Sequence, residues 1–187
     1  VKNIQNILLA AFVLVALSAF GQTDRKHLIT MSSGEISFVS EAPLELIKAA
    51  TKDFQAVLDT VSGHFAFSVP ISSFVGFNSP LQQEHFNENY LESNKYPKAT
   101  YTGKVIEAWQ RPTSDKRNVR TKGKLNIHGS EQETLIPAIM QMQGNLLHVQ
   151  AVFKVKTDDF NIRIPRLVVQ KIAQEIDVTV NAYFKLN

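Results

Sequence analysis

The side chains best suited to acid–base or metal chemistry in this 187-residue chain are five histidines, His27, His64, His85, His128 and His148; cysteine is absent. Nucleophilic catalysis needs a hydroxyl or thiol activated by a positioned base. No Gly-x-Ser-x-Gly turn occurs, and no motif links a histidine to a serine and an acid. The best metal candidate is the stretch 84–92, where His85 and Glu88 are three apart and Glu88 and Glu92 four apart, the spacing of one helix face. A metal would need further ligands from elsewhere, and a face carrying His and Glu is far more often solvated or capping. Phosphate-cradling loops of the GxxxxGK or GxGxxG kind are missing. The formal charge is only +3 and the basic residues are scattered, which gives no electrostatic footprint for nucleic acid. The expectation is therefore no catalytic residue, no metal, no cofactor and no nucleic-acid partner.

Stepping outward to the elements, residues 1–21 read as a targeting segment. Lys2 is followed by an apolar run from Ile7 to Ala16, and Ala19-Phe20-Gly21 puts small side chains at the two positions a signal peptidase reads. The run is shorter than the roughly 20 residues of a membrane span. Cleavage is expected before Gln22, leaving a periplasmic protein with no membrane span and one domain over residues 22–187. No cysteine follows the run, which excludes lipoprotein processing. A domain of this size buries enough core without disulfides, so the lack of cysteine does not argue against export.

Period-two alternation dominates the rest, the signature of strands with one buried face. In Val119–His128, Val119, Thr121, Gly123, Leu125 and Ile127 fall on one side, and Arg120, Lys122, Lys124, Asn126 and His128 on the other. Gly63–Val69, Leu146–Lys156 and Glu175–Leu186 alternate likewise; Gly34–Ser40, Lys52–Asp59, Ala99–Trp109 and Glu133–Gln143 do so more weakly. About eight short strands without long helices between them indicate an all-β sandwich or barrel. Two segments break the rhythm. Pro80–Asn94 predicts a short helix ending before Pro97, and Ile162–Ala173 predicts about two helical turns after Pro165. Ten phenylalanines follow residue 21, enough to pack a β core. An eight-stranded antiparallel barrel can be filled by such side chains or hold one small ligand.

Three ordered stretches carry a family likeness. His85–Pro97, HFNENYLESNKYP, leading into Ala99-Thr100-Tyr101-Thr102-Gly103, closely resembles the central signature of the YceI-like family. Gly123–Gly129, GKLNIHG, is similar to that family's strand ending in Leu-Thr-Ile-His-Gly, with Asn126 for the usual Thr. Thr157–Ile162, TDDFNI, is similar to its Asp-Phe-Gly-Ile element, with Asn161 where Gly is frequent. The resemblance implies an all-β, eight-stranded antiparallel lipocalin-like barrel with one or two short helices. It implies an apolar tunnel holding a polyisoprenoid or other long-chain isoprenoid or fatty-acyl lipid, for transport, storage or sequestration, and it leaves room for a homodimer. A filled barrel working in the cell envelope through a protein partner is the alternative.

The expected tunnel wall is then Phe38, Phe65, Phe67, Leu125, Ile127, Val149, Phe153 and Phe184, with Phe86, Tyr90 and Leu91 of the short helix capping one end. Tyr101 and His128 are the candidates to meet a polar head group. Lys95, Tyr96 and Pro97 are expected to be structural, Pro97 fixing a corner.

Overall fold

The structure, a computed structural model, describes residues 27–108, 110 and 113–186. The expected signal segment, its cleavage point and Trp109 lie outside the described residues. Within them the alternating runs become strands, since each has one apolar face, and a sheet closed on itself buries all those faces while leaving no unpaired edge. Nine strands form: β1 (Leu28–Glu41), β2 (Leu46–Thr51), β3 (Gln55–Asp59), β4 (His64–Pro70), β5 (Lys98–Val105), β6 (Arg117–Ile127), β7 (Ser130–Gln143), β8 (Leu146–Lys156) and β9 (Glu175–Lys185). From β3 to β9 each strand pairs antiparallel with the next. β9 returns to β1, which closes the sheet.

The other edge of β1 meets β3 at its start, Leu28 opposite Asp59, and β2 at its end, Glu41 opposite Leu46. β2 and β3 thus share one place in the ring as a single strand broken at Lys52–Phe54, and nine strands fill the eight positions of a closed barrel. The sequence signal covered only part of this broken strand. Lys52–Asp59 was expected to be continuous, whereas Leu46–Thr51, LIKAAT, has a small-residue and lysine composition that hides its alternation. Its far edge is satisfied by a bridge between Ala50 and Val75.

The helical segments also settle differently from their pattern. Ser79 caps α1 (Pro80–His85), its Oγ accepting from the Gln82 N–H at 3.2 Å with Pro80 at the first helical position. The chain then widens into a π turn over Phe86–Tyr90 and stops where Glu92 takes a φ of 43°. The second expected helix is a single 3-10 turn, Arg166–Val168, followed by turns. It has no side-chain cap, and two turns gain too few hydrogen bonds to offset helix nucleation.

Strand direction gives the barrel two unlike ends. At the base lie the short turns β3–β4 and β7–β8, and here Leu58, Leu147 and Phe184 are almost completely buried. Asp59 organises the β3–β4 turn, its carboxylate accepting from the Val61 N–H (2.8 Å), the Ser62 N–H (3.2 Å) and the Ser62 hydroxyl (2.6 Å). Burial alone would raise its pKa; those hydrogen bonds outweigh burial and hold it below the ordinary carboxylate value. At the crown, the two longest described connections, residues 71–97 with α1 and residues 157–174, cross the open end.

Gly103 and Gly123 sit directly opposite each other on β5 and β6. A Cβ on Gly123 would collide with the backbone oxygen of Thr102, and one on Gly103 with that of Lys122. The two strands can approach this closely only without side chains there. Gly123→Ala is expected to lower stability by about 1–3 kcal/mol, read from the urea midpoint. Lys122→Ala, on the solvent side next to it, should leave that midpoint unchanged.

Candidate ligand cavity

Inward residues of all nine strands do not meet at the barrel axis above the base. Instead they surround a cavity of about 580 Å³. Its wall takes Ile36 and Phe38 from β1, Phe65, Phe67 and Val69 from β4, and Leu125 and Ile127 from β6. Ile136, Ala138 and Met140 come from β7, Val149, Ala151 and Phe153 from β8, and Val178, Val180 and Phe184 from β9. Side-chain size explains the void. Ala138 and Ala151 are cross-strand partners in the wall, and Ala99 lies in it further toward the crown on β5, so short side chains stand at several wall positions where Leu or Phe would intrude.

Aromatic rings close both ends. At the base Phe67 meets Phe54 (6.5 Å between centroids), Phe65 (6.0 Å) and Phe184 (6.4 Å). Beneath this floor Ile29, Val119 and Leu147 are buried in the core. At the crown Phe38 meets Phe74 (5.3 Å), Phe77 (6.0 Å) and Phe86 (5.3 Å), the last nearly parallel. This second cluster seats the helical segment as a roof, since stacked and edge-on rings at such distances attract one another beyond simple burial.

All eleven residues expected to form the wall and cap line this cavity: Phe38, Phe65, Phe67, Phe86, Tyr90, Leu91, Leu125, Ile127, Val149, Phe153 and Phe184. Tyr101 lines it too, but its hydroxyl is engaged in the wall, 2.9 Å from Thr121 Oγ1 and 3.2 Å from the Thr134 carbonyl. Thr121 in turn donates to the Ile136 carbonyl at 2.9 Å. Burial raises the Tyr101 pKa and the Thr121 hydrogen bond only partly opposes it, so the phenol stays neutral. Tyr90 is likewise shifted up by burial.

His128 does not line the cavity. Its strand ends at Ile127, and with a φ of 52° the chain turns His128 toward the outside of the crown. There Nε2 lies 2.6 Å from Glu92 Oε2, Nδ1 lies 3.2 Å from the Phe160 carbonyl, and the Tyr96 ring stands edge-on at 4.6 Å. Tyr96 occupies the space that a side chain on Gly129 would need. Asn161 Nδ2 donates to Ser130 Oγ (2.8 Å) and Gln132 Nε2 to the Asp159 carbonyl (2.8 Å). The three sequence stretches singled out above therefore converge on one lock, which fastens both crown connections to the β6–β7 turn.

Besides Ser and Thr side chains of the strands and Thr157, the polar residues that meet the cavity are Glu45, Ser79, Gln82, His85 and Lys171, all at the crown. They come from three loops far apart in sequence, and apart from His85, whose spacing to Glu88 suggested only a metal, they carry no local pattern by which sequence reasoning could find them. His85 and Glu92 belong to different surroundings, and among the described residues no group of three or more His, Asp or Glu could hold a metal ion.

A closed antiparallel barrel, filled at one end and hollow and apolar at the other, defines a class of small-ligand-binding barrels. The family model described as "YceI-like domain" matches residues 26–184, and the chain belongs to that family. Solved structures share the fold. A polyisoprenoid binding domain from Saccharophagus degradans, implicated in plant cell wall breakdown, is similar with a TM-score of 0.73 at 16% identity, covering 84% of this chain and 97% of that one. Burkholderia cenocepacia BcnA gives a TM-score of 0.68 at 18% identity, covering 80% and 95%. The Campylobacter jejuni YceI protein gives 0.57 at 18%, covering 71% and 81%. A comparison with curated proteins gives no match.

Replacing His128 by Ala is expected to lower stability by about 1–3 kcal/mol, because Glu92 and the Phe160 carbonyl each lose a partner. Binding of an apolar probe by the folded variant should be unchanged. A variant with unaltered stability but lost probe binding would place His128 in the ligand site instead.

Proposed function

We propose that this protein is an exported carrier or store that holds the hydrocarbon tail of a polyisoprenoid or other long-chain amphiphile in its barrel. The observation that carries this reading is the distribution of charge along the cavity: Glu45, His85 and Lys171 sit at the crown, and no charged side chain lines the wall below them. Such a site binds a tail without catalytic help. At about 0.8 kcal/mol per buried CH₂, enclosing a sixteen-carbon chain is worth on the order of 12 kcal/mol gross, before the costs of ordering and association.

Size limits the cargo. Taking roughly 30 Å³ per non-hydrogen atom, the share of a water molecule in the liquid, a cavity of about 580 Å³ takes about twenty carbons. Each added isoprene unit should therefore tighten binding up to that length and add little beyond it. A filled barrel acting through a protein partner would not need a cavity of this size. The reading as a binding protein rather than an enzyme draws support from the family and from the polyisoprenoid binding domain that shares the fold. Export is read from residues 1–21, and the N-terminal residue of protein recovered from the periplasm, expected to be Gln22, checks it.

Displacement of a fluorescent acyl probe by prenyl alcohols of increasing length tests the proposal. Phe153→Asp should weaken binding about tenfold or more, and Phe67→Trp, which raises the floor, should shorten the tail length at which affinity levels off. Folded variants that bind every tail as the parent does would contradict the wall assignment. A parent protein that binds none would contradict the function.

A further inference from the structure

Four of the five exposed leucines among the described residues stand around the cavity mouth, the fifth, Leu135, being on the barrel wall. Leu44 is 67% exposed, Leu81 58% and Leu167 97%, with Leu46 and Val169 exposed beside them. These residues come from three separate segments, the β1–β2 turn, α1 and the connection from β8 to β9. Hydrogen bonds tie the segments into one surface. The Leu44 N–H donates to the Gln170 carbonyl at 2.8 Å, and Gln82 Nε2 donates to Glu45 Oε1 at 2.8 Å. Asn78 Nδ2 donates to the Leu46 carbonyl at 3.0 Å. The same segments supply Glu45, Leu81, Gln82, Val168 and Lys171 to the cavity lining, so the exposed leucines stand at its rim.

Single exposed leucines are ordinary on a soluble surface, but several held together around an apolar opening mark an interaction site. Charge indicates the partner. Arg163, Arg166 and Lys171 are exposed on the β8–β9 connection, and among the described residues none of the three is in an ion pair. Asp158 and Asp159 lie at the start of the same connection, where Gln132 Nε2 holds the Asp159 carbonyl against β7, and Glu84 and Glu88 lie on α1 and its continuation, so Arg163, Arg166 and Lys171 are the charged side chains on either side of Leu167. Leucines that can enter an apolar layer, flanked by cations that can meet phosphates, match the interface of a phospholipid bilayer.

We propose that the crown is a membrane-docking surface. Leu44, Leu81 and Leu167 enter the bilayer interface, and Arg163, Arg166 and Lys171 lie among the lipid phosphates. The cavity mouth then faces the hydrocarbon, and a tail passes between bilayer and barrel without crossing water. No helix among the described residues is long and apolar enough to span a membrane, which fits a reversible contact. This inference rests on the tail-binding reading above.

The test uses sedimentation with phosphatidylcholine–phosphatidylglycerol vesicles, together with the rate at which a fluorescent acyl probe passes from vesicle to protein. The parent protein should sediment with the vesicles. The double variant Leu44→Ser, Leu167→Ser should lose most of that binding and slow transfer about tenfold, while binding probe supplied from solution as before, since neither leucine lines the cavity. Arg163→Gln with Arg166→Gln should weaken vesicle binding and its salt dependence. If the parent binds probe from solution but ignores vesicles, or if the leucine variant takes up probe from them at the parent rate, docking is overturned. A parent that ignores vesicles and self-associates through these leucines would assign the surface to a second copy. A parent that binds no probe from solution would overturn the tail-binding reading itself.

Discussion

Closing an antiparallel sheet of eight positions satisfies every strand edge at once, and it also encloses an interior whose volume the strand number largely sets. Side chains either fill that interior or leave it hollow. In this protein Leu58, Leu147, Phe184 and their neighbours fill the base, while the short side chains of Ala99, Ala138 and Ala151 in the wall leave space above it. The β1–β9 pairing that closes the ring therefore underlies the cavity as well as the fold.

The crown depends on the same closure. Two connections must cross the open end without filling it, and they are held by different means. The first rests on rings, with Phe86 seated against Phe38, Phe74 and Phe77. Both are pinned by His128, which reaches Glu92 of one and the Phe160 carbonyl of the other. The stretches through which the chain resembles its family serve both parts: Glu92, Tyr96, His128 and Gly129 build the lock, while Phe86, Tyr90, Leu91, Leu125 and Ile127 line the cavity.

Much of this was legible in the amino-acid order. Strict alternation placed Phe65, Phe67, Leu125, Val149 and Phe184 on inward faces, because a strand has only two faces and one of them must be buried. Where alternation involved alanine and lysine, as in Leu46–Thr51, the apolar signal was too weak to mark a strand. The stretch after Pro165 had helix-forming residues, but tertiary contacts such as the Ala173 N–H donating to Ser40 Oγ at 2.9 Å hold it in turns. Alternation also put His128 on the outward face at its strand end, where it lies outside the cavity; the lock it forms was not legible, because its positive φ has no side-chain signature. The rim of Glu45, Gln82 and Lys171 is assembled from distant loops, which local spacing cannot reveal.

The proposed role makes the hollow of the barrel the seat of a hydrocarbon tail. Native mass spectrometry of the protein purified from its cells without detergent, followed by solvent extraction, addresses it most directly. A barrel that holds a tail should carry a discrete adduct of a few hundred daltons that releases a single prenyl or acyl chain of about twenty carbons or a longer one only partly enclosed. A bare protein mass that stays unchanged after incubation with prenyl and fatty-acyl lipids would contradict it.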